Sequence, residues 1–152
     1  PHDPVVLMDW HADWSNAKAI PVVASPACSE EQRQAAELFL IGMNVIPIWS
    51  KDHPGLYVIR SIAMLVNEAC EAVLHDIASE QDIDSAMKYG VNYPCGPFDW
   101  ADRIGYYTIL QILENMYHVY GEDRYRTSIY LAKKAVQGHA QKTQQHPLRV
   151  AG

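Results

Sequence analysis

Three polar side chains near the start of the chain are the first candidates for chemistry. Asp9, His11 and Asp13 alternate along the sequence, so on a β-strand they would share one face. Two carboxylates and an imidazole could bind a metal ion, but a site needs further ligands and groups that orient them. The alternation also fits the polar end of a strand whose Trp10 and Trp14 turn inward. We favour this second interpretation and predict no metal site.

Other acidic and imidazole side chains could act as general acids or bases. The carboxylates are Asp76, Asp82 and Asp84. Each of them also has a plain role at a helix end or in the first turn of a helix. The histidines are His53, His75 and His118. They lie in or beside helical apolar patterns, where a satisfied structural histidine is the commoner role. The sequence therefore predicts no catalytic residue.

The tyrosines and glycines do not indicate a ligand site either. Tyr106, Tyr107, Tyr117 and Tyr120 have helical spacing, which is typical of core or interface packing. A nucleotide site needs a glycine-rich turn, so that backbone N–H groups can approach phosphates. The sequence contains neither G-x-G-x-x-G nor G-x-x-x-x-G-K. We therefore predict no cofactor-binding residue in this chain.

Composition limits the class of protein. Hydrophobic residues make up 49% and charged residues 20% of the 152 positions, as in a globular protein with a real core. The net charge of −6 disfavours nucleic acid as a partner. We find no apolar run that would span a bilayer and no signal peptide. Cys28, Cys70 and Cys95 lack C-x-x-C spacing, and they favour a reduced, cytoplasmic setting.

Residues 1–53 have an α/β pattern. Residues 5–8, 20–24 and 44–49 are short apolar runs with β-branched side chains, which predict buried strands. Pro47 places the third strand at an edge or an irregular position. Ser29 is a good N-cap for a helix that should end near Gly42.

From Pro54 onward the pattern is helical. We predict helices over residues 56–75, 79–90, 98–120 and 128–138, followed by a polar tail at 139–152. Ser79 and Asp82 have the spacing of a capping box, with Asp in place of Glu. Gly90, Gly121 and Gly138 are the predicted helix ends. The fold class is therefore mainly α, preceded by a small α/β segment.

Residues 54–138 resemble the C-terminal domain of 3-hydroxyacyl-CoA dehydrogenases. That family begins the domain with Pro-Gly-Phe, two residues and Asn-Arg, followed by a long helix with Glu-Ala. It continues with Asp-Ile-Asp, Ala-Met, Gly, Pro-Met-Gly-Pro-Phe, Asp and Gly in that order. The matching residues here are Pro54, Gly55, Arg60, Glu68, Asp82, Asp84, Gly90, Pro94, Gly96, Pro97, Phe98, Asp102 and Gly105. So many ordered matches make a chance resemblance improbable.

One departure from the family pattern concerns Ile59, which stands where the family has Asn. In the family that Asn helps to position the substrate near the catalytic His, whereas an isoleucine side chain cannot form a hydrogen bond. Some members, which resemble the 3-hydroxyadipyl-CoA enzyme of phenylacetate degradation, carry a second, degenerate copy of this domain. A reduced Rossmann-like segment precedes that copy, and residues 1–53 look like it. The resemblance therefore identifies residues 54–138 as a degenerate copy.

The resemblance implies a parent enzyme that oxidises 3-hydroxyacyl-CoA to 3-oxoacyl-CoA with NAD, and it leaves butyryl- and adipyl-type substrates open. It assigns NAD and the catalytic His–Glu pair to an N-terminal domain that this chain lacks. Because the first residue is Pro1 and not Met, we expect sequence upstream.

In this interpretation the chain supplies a wall of the acyl-CoA site and a helical pairing surface, as a homodimer or with another helical copy. The interface candidates lie on one side of the first long helix: Leu56, Ile59, Ala63 and Val66. Residues Ile62, Leu65, Ala69 and Val73 would pack on the chain's own helices. The alternative is a free-standing, non-catalytic helical interaction module of the same ancestry.

Overall fold

The computed structural model describes residues 3–11 and 14–145. The chain divides into two compact units at the boundary between Arg60 and Ser61. In the part of the chain that is described, no helix combines the length and apolar character needed to cross a bilayer. The two units are a small α/β unit and a larger helical unit.

The α/β unit is a three-stranded sheet with one helix. Its elements are β1 (Val6–Met8), β2 (Ala19–Ala24), α1 (Glu30–Gly42) and β3 (Ile46–Trp49). The strand order is β1-β2-β3, with β1 antiparallel and β3 parallel to β2. The central strand supplies most of the buried residues, including Ile20, Val22 and Val23. These elements confirm the predicted α/β pattern, with each strand within about two residues of its predicted bounds. The prediction that all three strands are buried is wrong for β1 and β3, whose residues are half-buried or exposed.

Pro47 explains why β3 lies at the edge of this sheet. The N–H groups of Ile46 and Ser50 donate to Lys18 and Val22 at 2.8 and 2.9 Å. Because N–H directions alternate along a strand, the nitrogen of residue 47 faces away from β2. Proline has no N–H to offer a further strand there. The predicted edge position is confirmed, and the proline helps to protect the edge from strand pairing.

A capping box starts α1, as the Ser29 signal predicts. The Ser29 hydroxyl accepts a hydrogen bond from the N–H of Gln32 at 3.2 Å, and the Ser29 N–H donates to the Gln32 side chain at 2.9 Å. Two otherwise unsatisfied donors of the first turn are thereby paired. The helix ends at Gly42, where the pattern placed its end.

Five helices follow. They are α2 (Val58–Leu74), α3 (Glu80–Gly90), α4 (Pro97–Ile104), α5 (Tyr106–Tyr120) and α6 (Ile129–Gln145). The N-cap predicted for α3 is confirmed, because the Ser79 hydroxyl accepts from the N–H of Asp82. Contacts between α5 and α6 are the most extensive among the helices. The buried residues of this pair are Ile109, Leu113, Met116, Leu131 and Ala135.

Two predicted helix boundaries are wrong, and both concern glycine. The stretch 98–120 is not one helix, because Gly105 adopts a φ of 96° and separates α4 from α5. Right-handed helical backbone does not permit that angle. Conversely, α6 does not stop at Gly138 but continues to Gln145. A glycine inside a helix costs only about 1 kcal/mol, so favourable contacts elsewhere can carry the helix through it.

Asn67 connects α2 to the start of α6, a role that no local sequence pattern predicts. Its side chain is 2% exposed. The amide oxygen accepts from the N–H of Ser128 at 2.8 Å, and the amide nitrogen donates to the carbonyl of Arg126 at 2.9 Å. The Ser128 hydroxyl in turn accepts from the N–H of Tyr130 at 3.2 Å. Ser128 therefore caps α6, and Asn67 holds it in place.

Candidate functional site

Asp84 is the centre of the family motif in the helical unit. It lies on α3 and is 8% exposed. Its two carboxylate oxygens accept the N–H groups of Phe98 and Asp99 at 2.9 and 3.0 Å. These donors belong to the first turn of α4, whose positive dipole end favours a carboxylate. Asp84 thus acts as a helix cap supplied by a neighbouring helix.

Gly96 is the N-cap residue of α4, and its lack of a side chain makes room for Asp84. A Cβ built on Gly96 would overlap the carboxyl group of Asp84. The φ of Gly96 is −78°, an angle open to any residue, so the requirement for glycine is one of space and not of backbone conformation.

An ion pair between Lys88 and Asp99 lies next to the hydrogen bonds that join Asp84 to the start of α4. The two side chains meet at 3.0 Å, and Asp99 also accepts from the N–H of Gly96 at 3.3 Å. Hydrogen bonds from Lys88 and from Gly96 lower the pKa of Asp99, while the bond to Asp99 raises the pKa of Lys88. Asp82 makes a separate bond to the Ser79 hydroxyl at 2.6 Å. These carboxylates serve helix ends, which is the plain role that the sequence favoured over acid–base catalysis.

Asp9 performs a similar task in the α/β unit. It is 1% exposed, and its carboxylate accepts the N–H groups of Tyr57, Val58 and Ile59 at 2.8, 2.6 and 3.1 Å. A fourth donor is the N–H of Trp10 at 2.7 Å. Asp9 is therefore the cap of α2, supplied from the residue that follows β1.

The hydrogen bonds of Asp9 bear on how Asp9, His11 and Asp13 are interpreted. Both oxygens of Asp9 accept backbone N–H groups, and within residues 3–11 and 14–145 no three His, Cys, Asp or Glu side chains are grouped to hold a metal. Asp13 lies outside the described residues. Trp14 is 51% exposed and lies in a 3-10 turn, Trp14–Asn16. The prediction that Trp14 turns inward beside a strand is therefore wrong.

The opening of the family motif, from Pro54 to Arg60, forms the turn into α2. Gly55 has a φ of 86° and Leu56 a φ of 51°, so the chain reverses through two left-handed residues. Gly55 adopts this conformation readily, whereas Leu56 adopts it at a cost. Ile59 follows in the first turn of α2, where its N–H bonds to Asp9. The apolar residue at the family's Asn position thus contributes its backbone to the cap.

The remaining motif residues lie at the ends and faces of helices. Glu68 is exposed on α2, Gly90 ends α3, and Asp102 is exposed on α4. The segment containing Pro94 leads into α4, with Pro97 in its first turn and buried beside Phe98. These positions serve as helix boundaries and packing points.

The three histidines are not core residues. His53, His75 and His118 are all exposed. His75 lies 3.5 Å from Glu71, one turn earlier on α2, and His53 packs its ring against Tyr57 at 6.3 Å. These rings face solvent, and the structural role stays a prediction.

A hydrogen-bonded network at α6 escaped the sequence analysis. Glu80 accepts the Tyr130 hydroxyl at 2.7 Å and the Lys134 ammonium at 2.6 Å. The Lys134 ammonium lies 5.3 Å from the centre of the Tyr106 ring. Burial acts to raise the pKa of Glu80, but the bonds from Lys134 and Tyr130 outweigh it and hold that pKa below 4.5. The bond to Glu80 raises the pKa of Tyr130 to about 12. Because Glu80 and Tyr130 lie 50 residues apart, no local sequence pattern predicts their hydrogen bond.

Cys70 and Cys95 are not activated thiols. Cys28, Cys70 and Cys95 are free thiols. Burial is the main cause that raises the pKa of Cys70 to about 12, and it raises the pKa of Cys95 as well. A thiol with so high a pKa is protonated at neutral pH and does not act as a nucleophile.

A cleft of about 350 Å³ is lined in part by Asp84. Its charged lining consists of Glu80, Asp84, Lys88, Asp99 and Asp102. Four carboxylates against one ammonium repel the phosphates of a dinucleotide or of coenzyme A. This cleft does not fit NAD.

The interface candidates on α2 require a correction. Ala63 and Val66 are 0% exposed within the chain itself. Leu56 and Ile59 are half-buried. On the other side of α2, Ile62 and Ala69 are also buried. Ala63 and Val66 are therefore not available to a partner, whereas Leu56 and Ile59 stay partly accessible.

Comparison with known protein families gives two matches that together cover almost the whole chain. Residues 55–148 match the C-terminal domain of 3-hydroxyacyl-CoA dehydrogenase. Residues 2–54 match the reduced Rossmann-fold domain of 3-hydroxybutyryl-CoA dehydrogenase. The chain therefore belongs to the 3-hydroxyacyl-CoA dehydrogenase family, as a helical C-terminal domain preceded by a reduced Rossmann-fold domain.

Comparison with individual proteins also finds 3-hydroxyacyl-CoA-type dehydrogenases. The chain is 38% identical over 133 residues to 3-hydroxyadipyl-CoA dehydrogenase of Escherichia coli K12, covering 88% of this chain and 27% of that protein. It is 29% identical to 3-hydroxybutyryl-CoA dehydrogenase of Clostridioides difficile, covering 86% and 47%. The crystal structure of an Escherichia coli K12 3-hydroxybutyryl-CoA dehydrogenase superposes with a TM-score of 0.83 at 37% identity, covering 91% and 28%. The chain thus spans less than half the length of these relatives.

Proposed function

We propose that this chain works as the C-terminal part of an NAD-dependent dehydrogenase that oxidises 3-hydroxyacyl-CoA to 3-oxoacyl-CoA. The observation that carries the proposal is the pair of consecutive family matches, at 2–54 and 55–148. The relatives are named for 3-hydroxybutyryl-CoA and 3-hydroxyadipyl-CoA, and we propose a substrate of this class. NAD would accept the hydride in a separate domain of the parent enzyme.

The proposed role of the chain is structural support and not catalysis. The carboxylates of Asp9 and Asp84 are held by backbone N–H groups, so they are not placed to exchange protons with a substrate. Ile59 offers no polar side chain at the family's Asn position. We propose that the helical domain, with its boundary near residue 54, supplies a wall of the acyl-CoA site and pairs with another helical copy. The free thiols suit a cytoplasmic setting.

A chimera tests this role. The matching segment of the Escherichia coli 3-hydroxyadipyl-CoA dehydrogenase, 27% of that protein, is replaced by this chain. We expect NAD-dependent oxidation of 3-hydroxyacyl-CoA to be retained, whereas the same enzyme with the segment deleted should lose stability or activity. A folded but inactive chimera would favour the alternative, a free-standing helical interaction module.

The isolated chain provides the complementary measurement. We expect calorimetric titration with NAD to give no binding heat, because no glycine-rich phosphate loop is present in the sequence. An assay with 3-hydroxybutyryl-CoA should give no turnover. Turnover by the pure chain would contradict the supporting role.

A further inference from the structure

We draw no further inference here: the strongest candidate, the exposed apolar surface patch that Leu38, Phe39 and Ile41 form on α1 of the α/β unit, carries none because nothing in the structure shows what covers it.

Discussion

The α/β unit and the helical unit each contain an aspartate that caps a helix from elsewhere in the chain, and the two aspartates differ in their sequence distance from the helix. In each, a buried aspartate supplies its carboxylate to the start of a helix on which it does not lie. Asp84 reaches across 14 to 15 residues, from α3 to α4. Asp9 reaches across 48 to 50 residues, from the end of β1 to α2. The short connection forms a compact sequence motif, whereas the long one leaves no local pattern.

The strongest test of the short connection is Gly96→Val. The new Cβ would occupy the space of the Asp84 carboxyl group, so either the carboxylate or the α4 backbone must move. We expect a loss of about 3 kcal/mol or more in the free energy of unfolding, from overpacking and from unpaired N–H groups of Phe98 and Asp99. Denaturant unfolding measures it.

Gly90→Val is the control, because nothing beyond the adjacent residues and the backbone of its own helix lies within 4 Å of the Cβ position at Gly90. It should cost much less than Gly96→Val. Equal effects at the two glycines would mean that the Asp84 carboxylate does not fill the space beside Gly96.

The long connection is tested by Asp9→Ala. Four backbone N–H groups would lose their acceptor, and a lost helix cap with buried donors costs about 2 to 3 kcal/mol. Hydrogen exchange should speed up at Tyr57, Val58 and Ile59. The amides of Phe98 and Asp99, held by Asp84, serve as the internal reference and should change only with global stability. Uniform change across both sets would mean that Asp9 is not a local cap.

The two connections also explain how far prediction from sequence could reach. The helix starts at Ser29 and Ser79 were predictable because each hydroxyl caps its own helix within three residues. The family motif singled out both Asp84 and Gly96, but it did not indicate that the two residues meet. Asp9 could not be assigned, because an alternating polar pattern says nothing about a partner 50 residues away.

The errors have physical causes of the same kind. Gly105 and Gly138 both lie in helical sequence patterns. Gly105 breaks the helix and Gly138 does not, and only their backbone conformations distinguish them. The apolar circumference of α2 suggested a free face, but Ala63 and Val66 are covered by the chain itself.

A smaller effect is expected at Gly138, which lies within α6 with open space around it. Gly138→Ala should raise the free energy of unfolding by about 0.5 to 1 kcal/mol, because alanine loses less backbone entropy in a helix. The melting temperature provides the measurement. Gly90→Ala, at the last residue of α3, should give a smaller gain. A loss of stability at residue 138 would show that α6 does not continue through it.

The smallest expected effect concerns the network of Glu80, Tyr130 and Lys134. The pKa of Glu80 in the folded chain lies below its ordinary value of 4.5. A carboxyl group with a lowered pKa stabilises the fold above its unfolded pKa, and the contribution is lost as the pH falls through the folded pKa. The original chain should therefore lose more stability than Glu80→Gln when the pH is lowered from about 5 towards 3.

The magnitude is limited by solvent, because the side chains of Glu80 and Lys134 are 33% and 31% exposed. Such a pair contributes under about 1 kcal/mol at neutral pH. Unfolding curves at a series of pH values should converge for the two proteins at low pH and separate above pH 5, where Glu80 is ionised in both states. Glu31→Gln is a suitable control, since Glu31 is exposed on α1 and lies outside this network. A constant difference between the original chain and Glu80→Gln at every pH would mean that the carboxylate charge contributes nothing to the network.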